Sequence, residues 1–528
     1  MVSQGNASAS TIENFEGLLD LEVVRTTLTP DAAVEAVFID LVEHRPSGGG
    51  HVYVEGRIRV VEPGPADVGF NLALPDAFGG RYFLNAQGGA GGELQATVDG
   101  LVQDGFAMAS TDKGVSTGHV FDLSYFKDEA RRAEALNYAG RATHVTAQVT
   151  QHLTRRYYDV DHLHRYIAGC SAGGIAAWQN IRREGTRDFD GALAGDFPTP
   201  TALISIQWAR VMQHMDRNPA SWIPPDLLRA GEAAILAAYD GVDGAVDGMI
   251  QDDRLIDFDT DVLARAGFSD AQIEAFLLAT SPWVYRAGSR PITVPGLSYS
   301  LLTCWQDHLT GTVSPPWLTD DWVNDGDLES GCPYGLYVVE SRLSRELFRE
   351  VDLDSAEGQR AFAGSASPWN DPVEPFDLSE FRDGGGKLIT YMGVASCNAH
   401  LHTILAWQRA AELGSTGGSD AAGSGTLSER TVEAVNQWFR TFLVPGMGHC
   451  GGGIGAQDAY DQLLHSLVDW VETGTAPDEV VAHNPMSGRS FLLCAEPSRA
   501  VFSGVGDVAD AASWERRLEP RSLDRLPA

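Results

Sequence analysis

Two short stretches of the 528-residue chain hold residue types that could form and break a covalent ester intermediate. Residues 169–174 read GCSAGG and fit Gly-x-Ser-x-Gly, a pattern that presents a serine on a sharp turn between a strand and a helix. Residues 445–450 read PGMGHC and place a histidine in a glycine-rich loop far along the chain. Because a serine hydroxyl is a weak nucleophile until a base takes its proton, we predict Ser171 as nucleophile and His449 as base.

Each of these two residues has a cysteine beside it. Cys170 precedes Ser171, and Cys450 follows His449. If the serine and the histidine meet in space, the two cysteines meet as well, and a disulfide could tie the base to the nucleophile.

The residues around the serine also suggest how a developing negative charge would be stabilised. We predict a short strand at residues 163–168 and the beginning of a helix at residues 175–180. A strand before the serine and a helix after it are the context that this turn needs. The backbone N–H of Ala172, at the head of that helix, could donate to an oxyanion, with a second donor near Gly89 in the glycine-rich loop 87–92. The alternative is a structural serine in a tight strand–helix turn.

Hydrophobic patterning predicts an α/β fold with one mostly parallel sheet. Strands alternate with helices at both ends of the chain. Residues 200–375 lack that alternation and are rich in Trp, Pro and Asp, which suggests an inserted lid. We therefore expect three segments, with the core in 1–200 and 376–528 and the lid in 201–375. The predicted strands are 51–61, 68–74, 82–86, 105–112, 387–393 and 441–444, and the predicted helices are 130–156, 402–412 and 458–473.

Charge and hydropathy exclude several partners. The formal net charge of −34 repels phosphate backbones, so we expect no nucleic-acid partner. No stretch approaches the ~20 apolar residues of a membrane span.

The N-terminus shows no basic and apolar segments of a secretory signal, which favours a cytoplasmic location unless the chain has been trimmed. The cysteines beside serine and histidine argue instead for an oxidising compartment. The sequence does not determine the oligomeric state.

Residues 240–250, DGVDGAVDGMI, interleave three carboxylates with three glycines. Carboxylate and backbone carbonyl oxygens at alternating positions suit Ca²⁺, although no glutamate stands where an EF-hand needs it. The alternative is an acidic turn without a metal.

These motifs together resemble the tannase and feruloyl esterase family, which includes terephthalate monoester hydrolases. The similar stretches are residues 74–75, 80–84, 87–92, 109–114, 169–174, 188–191, 240–250, 377–382, 385–391 and 445–450. The resemblance implies an α/β-hydrolase core, an inserted lid domain, a structural calcium ion in the lid and esters of aromatic acids as substrates.

The resemblance also implies specific roles for residues of this chain. Ser171 would be the nucleophile and His449 the base, and Cys170 would pair with Cys450 in a disulfide. The calcium ligands would be the side chains of Asp240, Asp243 and Asp247 and the carbonyls of Ala245 and Met249.

One departure from the family pattern affects the mechanism. The position of the third triad residue, an aspartate in the family, holds Ser396 in the stretch GVASCNAH of residues 393–400. A neutral replacement of such an acid can cost ~10⁴ in rate. Ser396 or Asn398 could orient His449, an acid from another loop could substitute, or the site could perform other chemistry.

The other four cysteines have no clear assignment from sequence. Cys304 and Cys332 could pair within the lid, whereas Cys397 and Cys494 remain unassigned.

The leading functional prediction is a serine hydrolase that cleaves a small-molecule carboxylic ester with an aromatic or bulky acyl part. The alternative is acyl transfer, cyclisation or carbon–carbon bond hydrolysis in a biosynthetic pathway, because the triad acid is missing. A non-catalytic binding protein is a third hypothesis. Tryptophans of the predicted lid could line an aromatic pocket or form the lid core: Trp208, Trp222, Trp305, Trp317 and Trp322.

Overall fold

The computed structural model describes most of the chain, with gaps. The described residues are 11–61, 66–117, 122–126, 128–197, 201–288, 291–317, 331–333, 335–336, 345–364, 376–397, 401–414 and 427–518. Asn398 and Trp322 lie outside them.

Fifteen strands are present in the described residues. They are β1 (Val34–Arg45), β2 (His51–Val60), β3 (Ala66–Pro75), β4 (Arg81–Ala86), β5 (Phe106–Thr111), β6 (His164–Cys170), β7 (Gly191–Gly195), β8 (Trp283–Tyr285), β9 (Ile292–Val294), β10 (Lys387–Gly393), β11 (Phe439–Val444), β12 (Glu479–Asn484), β13 (Arg489–Cys494), β14 (Ser498–Phe502) and β15 (Trp514–Leu518).

The α-helices of the described residues vary from five to seventeen residues in length. They are α1 (Ile12–Leu18), α2 (Leu21–Thr27), α3 (Asp99–Gln103), α4 (Arg132–Leu136), α5 (Ala142–Tyr158), α6 (Ala172–Glu184), α7 (Thr201–Arg217), α8 (Pro225–Tyr239), α9 (Asp261–Arg265), α10 (Asp270–Thr280), α11 (Arg345–Glu350), α12 (Ala356–Gly364), α13 (Ser379–Asp383), α14 (His402–Gly414), α15 (Glu429–Asn436) and α16 (Ala459–Thr473).

Nine of the strands form one sheet in the order β1-β2-β3-β5-β4-β6-β7-β10-β11. The pairings β1–β2, β2–β3 and β3–β5 are antiparallel. Strand β4 pairs in parallel with both β5 and β6. Parallel neighbours need crossover connections, and helices α3, α5 and α6 lie in the connections between β4, β5, β6 and β7. The predicted α/β class is confirmed.

Most predicted elements are present with shifted ends. The helix predicted at 130–156 is divided into α4 and α5 by a distorted turn at Asn137–Arg141, where Gly140 has φ 138°. Helix α2 precedes the predicted strands and was not predicted; the Asp20 side chain accepts the N–H of Val23 as its N-cap. The local cap determines this helix.

The chain forms two compact units. The first comprises Met1–Ala194, Leu378–Leu388 and Val468–Gly474, and the second comprises Gly195–Asp377, Ile389–Leu467 and Thr475–Ala528. The division of the chain into a core (1–200 and 376–528) and an inserted lid (201–375) stays a prediction. Among the described helices, none is sufficiently long and apolar to span a bilayer.

A buried polar cluster holds helices α5 and α6 of the first unit together. Asp188 is fully buried and accepts hydrogen bonds from His144 Nδ1 at 2.8 Å, Gln148 at 2.6 Å and Asn180 at 2.6 Å. The Thr29 N–H donates to His144 Nε2 at 3.2 Å, so Nδ1 is the ring nitrogen that carries the proton. A buried carboxylate is tolerated because donors replace its lost water.

Replacement of this carboxylate tests how much the cluster stabilises the fold. We expect Asp188→Asn to lower the free energy of unfolding by about 3–5 kcal/mol, because it leaves buried donors without an anionic acceptor. Asp76→Asn is the matched control, since Asp76 forms a His–Asp pair with His44 at 3.0 Å on an exposed surface. That change should cost less than about 1 kcal/mol. Equal decreases in the free energy of urea unfolding for Asp188→Asn and Asp76→Asn would contradict the role of burial.

Candidate active site

Ser171 lies on the turn that its sequence pattern predicts. Strand β6 ends at Cys170, helix α6 begins at Ala172, and Ser171 between them has φ 58° and ψ −126°. A positive φ is strained for a residue with a Cβ, and such strain is common at functional sites. A Cβ on Gly173 would lie 2.1 Å from the Ala86 carbonyl oxygen. Glycine is therefore required where the turn packs on β4.

Two backbone segments near Ser171 can supply oxyanion donors. Ala172 is the first residue of α6, where backbone N–H groups lack intrahelical acceptors. A Cβ on Gly88 would lie 3.9 Å from the Ser171 Cβ, so the glycine-rich loop packs against the serine. Gly89 has φ 62°, and its carbonyl accepts the Tyr138 hydroxyl at 3.1 Å. Gly88 is thus the loop residue placed against Ser171, and the role of Gly89 stays a prediction.

A buried amine lies next to this turn. Lys113 is 2% exposed, and its Nζ donates to the Ala172 carbonyl at 3.3 Å and lies 4.4 Å from the centre of the Tyr138 ring. Burial lowers the pKa of Lys113 to about 7. Its charge therefore changes in the neutral range.

In the second unit, the loop that carries His449 is fastened to the loop that carries Ser396. The N–H of Val394 donates to the Val444 carbonyl, and the N–H of Ala395 donates to the Met447 carbonyl, both at 3.0 Å. These bonds extend the pairing of β10 with β11 into the loops that follow the two strands.

The two loops bring Ser396 to the imidazole. The Ser396 Oγ lies 3.4 Å from His449 Nδ1. Ser396 is 1% exposed, so water does not compete freely for its hydroxyl. Burial lowers the pKa of His449 to about 4, which leaves the imidazole neutral near pH 7, as a general base requires.

A carboxylate that sequence reasoning did not single out also lies in this cluster. Asp196 directly follows β7 and is fully buried. Its Oδ2 accepts the Cys450 N–H at 2.7 Å, its Oδ1 accepts the Gly393 N–H at 3.2 Å, and Ser396 donates through its side chain. The signal in the sequence was an acid that follows an apolar strand and lies between Ser171 and His449 in chain order.

The six cysteines comprise one disulfide and four thiols. Cys170 and Cys450 are disulfide-bonded, which confirms the expected bridge. The suggested bridge between Cys304 and Cys332 is wrong, because both are thiols. Cys397 and Cys494 are also thiols. Cys397 Sγ lies 3.1 Å from His308 Nε2, and burial raises its pKa well above the usual range, so it stays protonated.

The disulfide assignment can be checked by counting thiols. Iodoacetamide treatment of the urea-unfolded, unreduced protein should add four carbamidomethyl groups, one for each thiol, and treatment after reduction should add six. Intact mass spectrometry distinguishes the two products. Cys170→Ser is the matched control, since it should give five groups with or without reductant. Six groups in the unreduced protein would contradict the bridge.

The predicted calcium loop forms a turn that brings three carboxyl groups, Asp240, Asp243 and Asp247, into one short segment. Asp240 lies in the 3₁₀ turn Asp240–Asp243, and its Oδ1 accepts the N–H groups of Asp247 and Gly248 at 3.1 Å each. Asp247 pairs with Arg489 at 2.7 Å. Asp243 is 1% exposed, and its Oδ2 has no hydrogen-bond partner among the described residues. Burial and the charges of Asp247 and Asp240 raise the pKa of Asp243 to about 7.

The tryptophans of the second unit are mainly packing residues. Trp208, Trp305 and Trp317 are 7%, 1% and 2% exposed, respectively. The Trp222 Nε1 donates to the Thr310 carbonyl at 2.8 Å. These contacts support the core interpretation over the pocket interpretation for the described tryptophans.

Comparisons with known proteins agree with these observations. The family model "Tannase and feruloyl esterase" matches residues 52–280 and 367–517. A probable feruloyl esterase B-1 of Aspergillus terreus is 26% identical over 486 residues, which cover 84% of this chain and 82% of that protein. Feruloyl esterase B of Aspergillus niger is 26% identical over 481 residues, with the same coverage.

Two solved structures share the fold. The crystal structure of feruloyl esterase B from Aspergillus oryzae gives a TM-score of 0.70 at 20% identity and covers 95% of this chain and 100% of that one. The structure of tannin acyl hydrolase from Aspergillus niger gives 0.65 at 20% identity and covers 98% of each chain.

A serine at a strand–helix turn of a large mixed sheet defines the class of α/β-hydrolases. The family model covers most of the residues and includes both the serine turn and the histidine loop. The chain belongs to the tannase and feruloyl esterase family and is a carboxylic ester hydrolase.

Proposed function

We propose that this protein hydrolyses carboxylic esters of aromatic acids, with Ser171 as nucleophile and His449 as general base. The observation that carries the proposal is the strained Ser171 backbone at the head of α6, which presents the hydroxyl beside free helix N–H groups. The disulfide of Cys170 with Cys450 supports the pairing, because each cysteine adjoins one of the two proposed residues.

The proposed reaction has two halves. His449 Nε2 takes the Ser171 proton as Oγ attacks the ester carbonyl, and the Ala172 N–H with a donor from the Gly88–Gly89 loop stabilises the oxyanion. The imidazolium then protonates the leaving alcohol, and an acyl–serine remains. Water, activated by His449, releases the aromatic acid and regenerates the serine.

The names of the relatives support an aromatic acyl group. They are feruloyl esterases in sequence and a tannin acyl hydrolase in structure. Acyl transfer, cyclisation and carbon–carbon hydrolysis are not favoured, because these relatives are esterases.

Fluorophosphonate labelling tests the nucleophile. We expect one adduct at Ser171, read by intact mass, and no adduct in Ser171→Ala. Hydrolysis of methyl ferulate should fall at least about 10⁴-fold in that variant, because the covalent route is lost. Ser110→Ala is the matched control, since Ser110 is a fully buried serine of β5 whose hydroxyl bonds Asn71; it should still be labelled. A folded wild-type protein that neither reacts nor hydrolyses would refute the proposal and favour a binding role.

We further propose that the loop Asp240–Met249 binds a structural calcium ion. The fit rests on the buried Asp243 oxygen without a partner, since a hard cation supplies what that oxygen lacks. Asp240 and Asp247 would complete the carboxylate set, with the carbonyls of Ala245 and Met249. The ion would stabilise the loop and take no part in the reaction.

Calcium should therefore raise the melting temperature. A ligand at a hundred times its Kd stabilises the folded state by about 2.7 kcal/mol. We expect CaCl₂ to raise Tm relative to EDTA in the wild type and to have no such effect in Asp243→Asn. Asp226→Asn removes a carboxylate that is 92% exposed and should keep the calcium response. Equal calcium responses in Asp243→Asn and the wild type would rule out this site.

A further inference from the structure

The position that holds the triad acid in the family pattern holds Ser396 in this chain. Burial keeps His449 neutral, but the same burial makes the imidazolium of the transition state costly. In a triad, a carboxylate offsets this cost and fixes the ring tautomer. Ser396, which lies 3.4 Å from Nδ1, carries no charge. A charge must come from elsewhere if His449 is to act as base, and this inference rests on the proposed function.

Asp196 is joined to the imidazole through one hydroxyl. Ser396 bonds the Asp196 carboxylate through its side chain, and the Ser396 Oγ faces His449 Nδ1. A serine hydroxyl has one proton to donate and two lone pairs that accept, so it can serve both neighbours at once. All three residues belong to the second unit.

We propose that Asp196 is the acidic positioning residue of this site and acts on His449 through the Ser396 hydroxyl. His449 Nδ1–H donates to Ser396 Oγ, and the Ser396 O–H donates to Asp196. In this arrangement Nε2 is the ring nitrogen without a proton, and it takes the Ser171 proton. Asp196 remains ionised throughout, and no proton passes to it. The chain order is then serine, aspartate, histidine, as α/β-hydrolases have it.

A purely structural role for Asp196 has to be separated from this one. The carboxylate also holds the N–H groups of Gly393 and Cys450, so it anchors two loops whatever else it does. Ser396→Ala removes the link to His449 and leaves both N–H bonds in place. Asp196→Asn keeps the size of the side chain and removes its charge. If Asp196 served only as a loop anchor, Ser396→Ala would leave kcat unchanged.

The rates of the two variants provide the first test, with methyl ferulate as substrate. We expect kcat to fall at least about 10²-fold in each, part of the ~10⁴-fold loss when a triad carboxylate is neutralised. KM should change little, because neither residue faces the substrate in this proposal. The double variant should be no slower than the slower single variant, since both changes break one chain of bonds. Thermal unfolding verifies that each variant is folded, and the thiol count verifies that the disulfide is intact.

The pH profile provides the second test. Burial raises the pKa of Asp196 to about 7, although bonds from Cys450, Gly393 and Ser396 oppose the shift. An ionised Asp196 stabilises the imidazolium of His449, whereas a protonated Asp196 does not. We therefore expect kcat to fall as pH drops through about 7. Tyr391 on β10, whose carbonyl accepts the Asp196 N–H, has a pKa raised well above 10 by burial and does not titrate here.

The low-pH decrease should disappear in Asp196→Asn. Lys113 is retained in that variant and has a pKa near 7 itself. A decrease that persists unchanged would therefore belong to a group other than Asp196, such as Lys113, and would overturn the assignment. A Ser396→Ala variant within about twofold of the wild-type kcat would overturn it as well. A wild type that does not react with fluorophosphonate or methyl ferulate would instead defeat the proposed function, and the inference with it.

Discussion

A carboxylate removed from water must find donors within the protein, and Asp196 finds them in two segments that are distant from it in sequence. It accepts from the Gly393 N–H and the Ser396 side chain at the end of β10, and from the Cys450 N–H next to His449. These bonds fix the histidine loop relative to the strand ends in the second unit. The position of His449 therefore depends on an acid after β7 as well as on the backbone bonds of its own loop.

The serine turn depends on a different constraint, which is close backbone contact. Gly173 packs so tightly on the Ala86 carbonyl that any side chain would collide with it. Ser171, two residues before Gly173, has a positive φ of 58° on the same turn. Such a local constraint produces a short motif, which explains why six residues were enough to predict the strand–helix turn at Ser171.

Much of the fold was predictable because its signals are local. Strand β10 and helix α16 occur within a residue or two of their predicted ends, since apolar spacing and a glycine at position 474 define them. Asp196 was not predictable in the same way, because its bonds to Gly393 and Cys450 span 197 and 254 residues of sequence. The thiol states of Cys304 and Cys332 also depend on tertiary placement, which spacing along the chain does not report.

The environment of Asp196 has a consequence for stability. A carboxyl group whose pKa is near 7 in the folded protein and near 3.8 when unfolded binds its proton more tightly in the folded state. The folded state is therefore penalised once pH exceeds 3.8, and the penalty is complete above about 7, where it is on the order of a few kcal/mol. The ionisation that the proposed role of Asp196 requires therefore weakens the fold. If the proposal holds, the protein gives up resistance to unfolding for a charge in its active site.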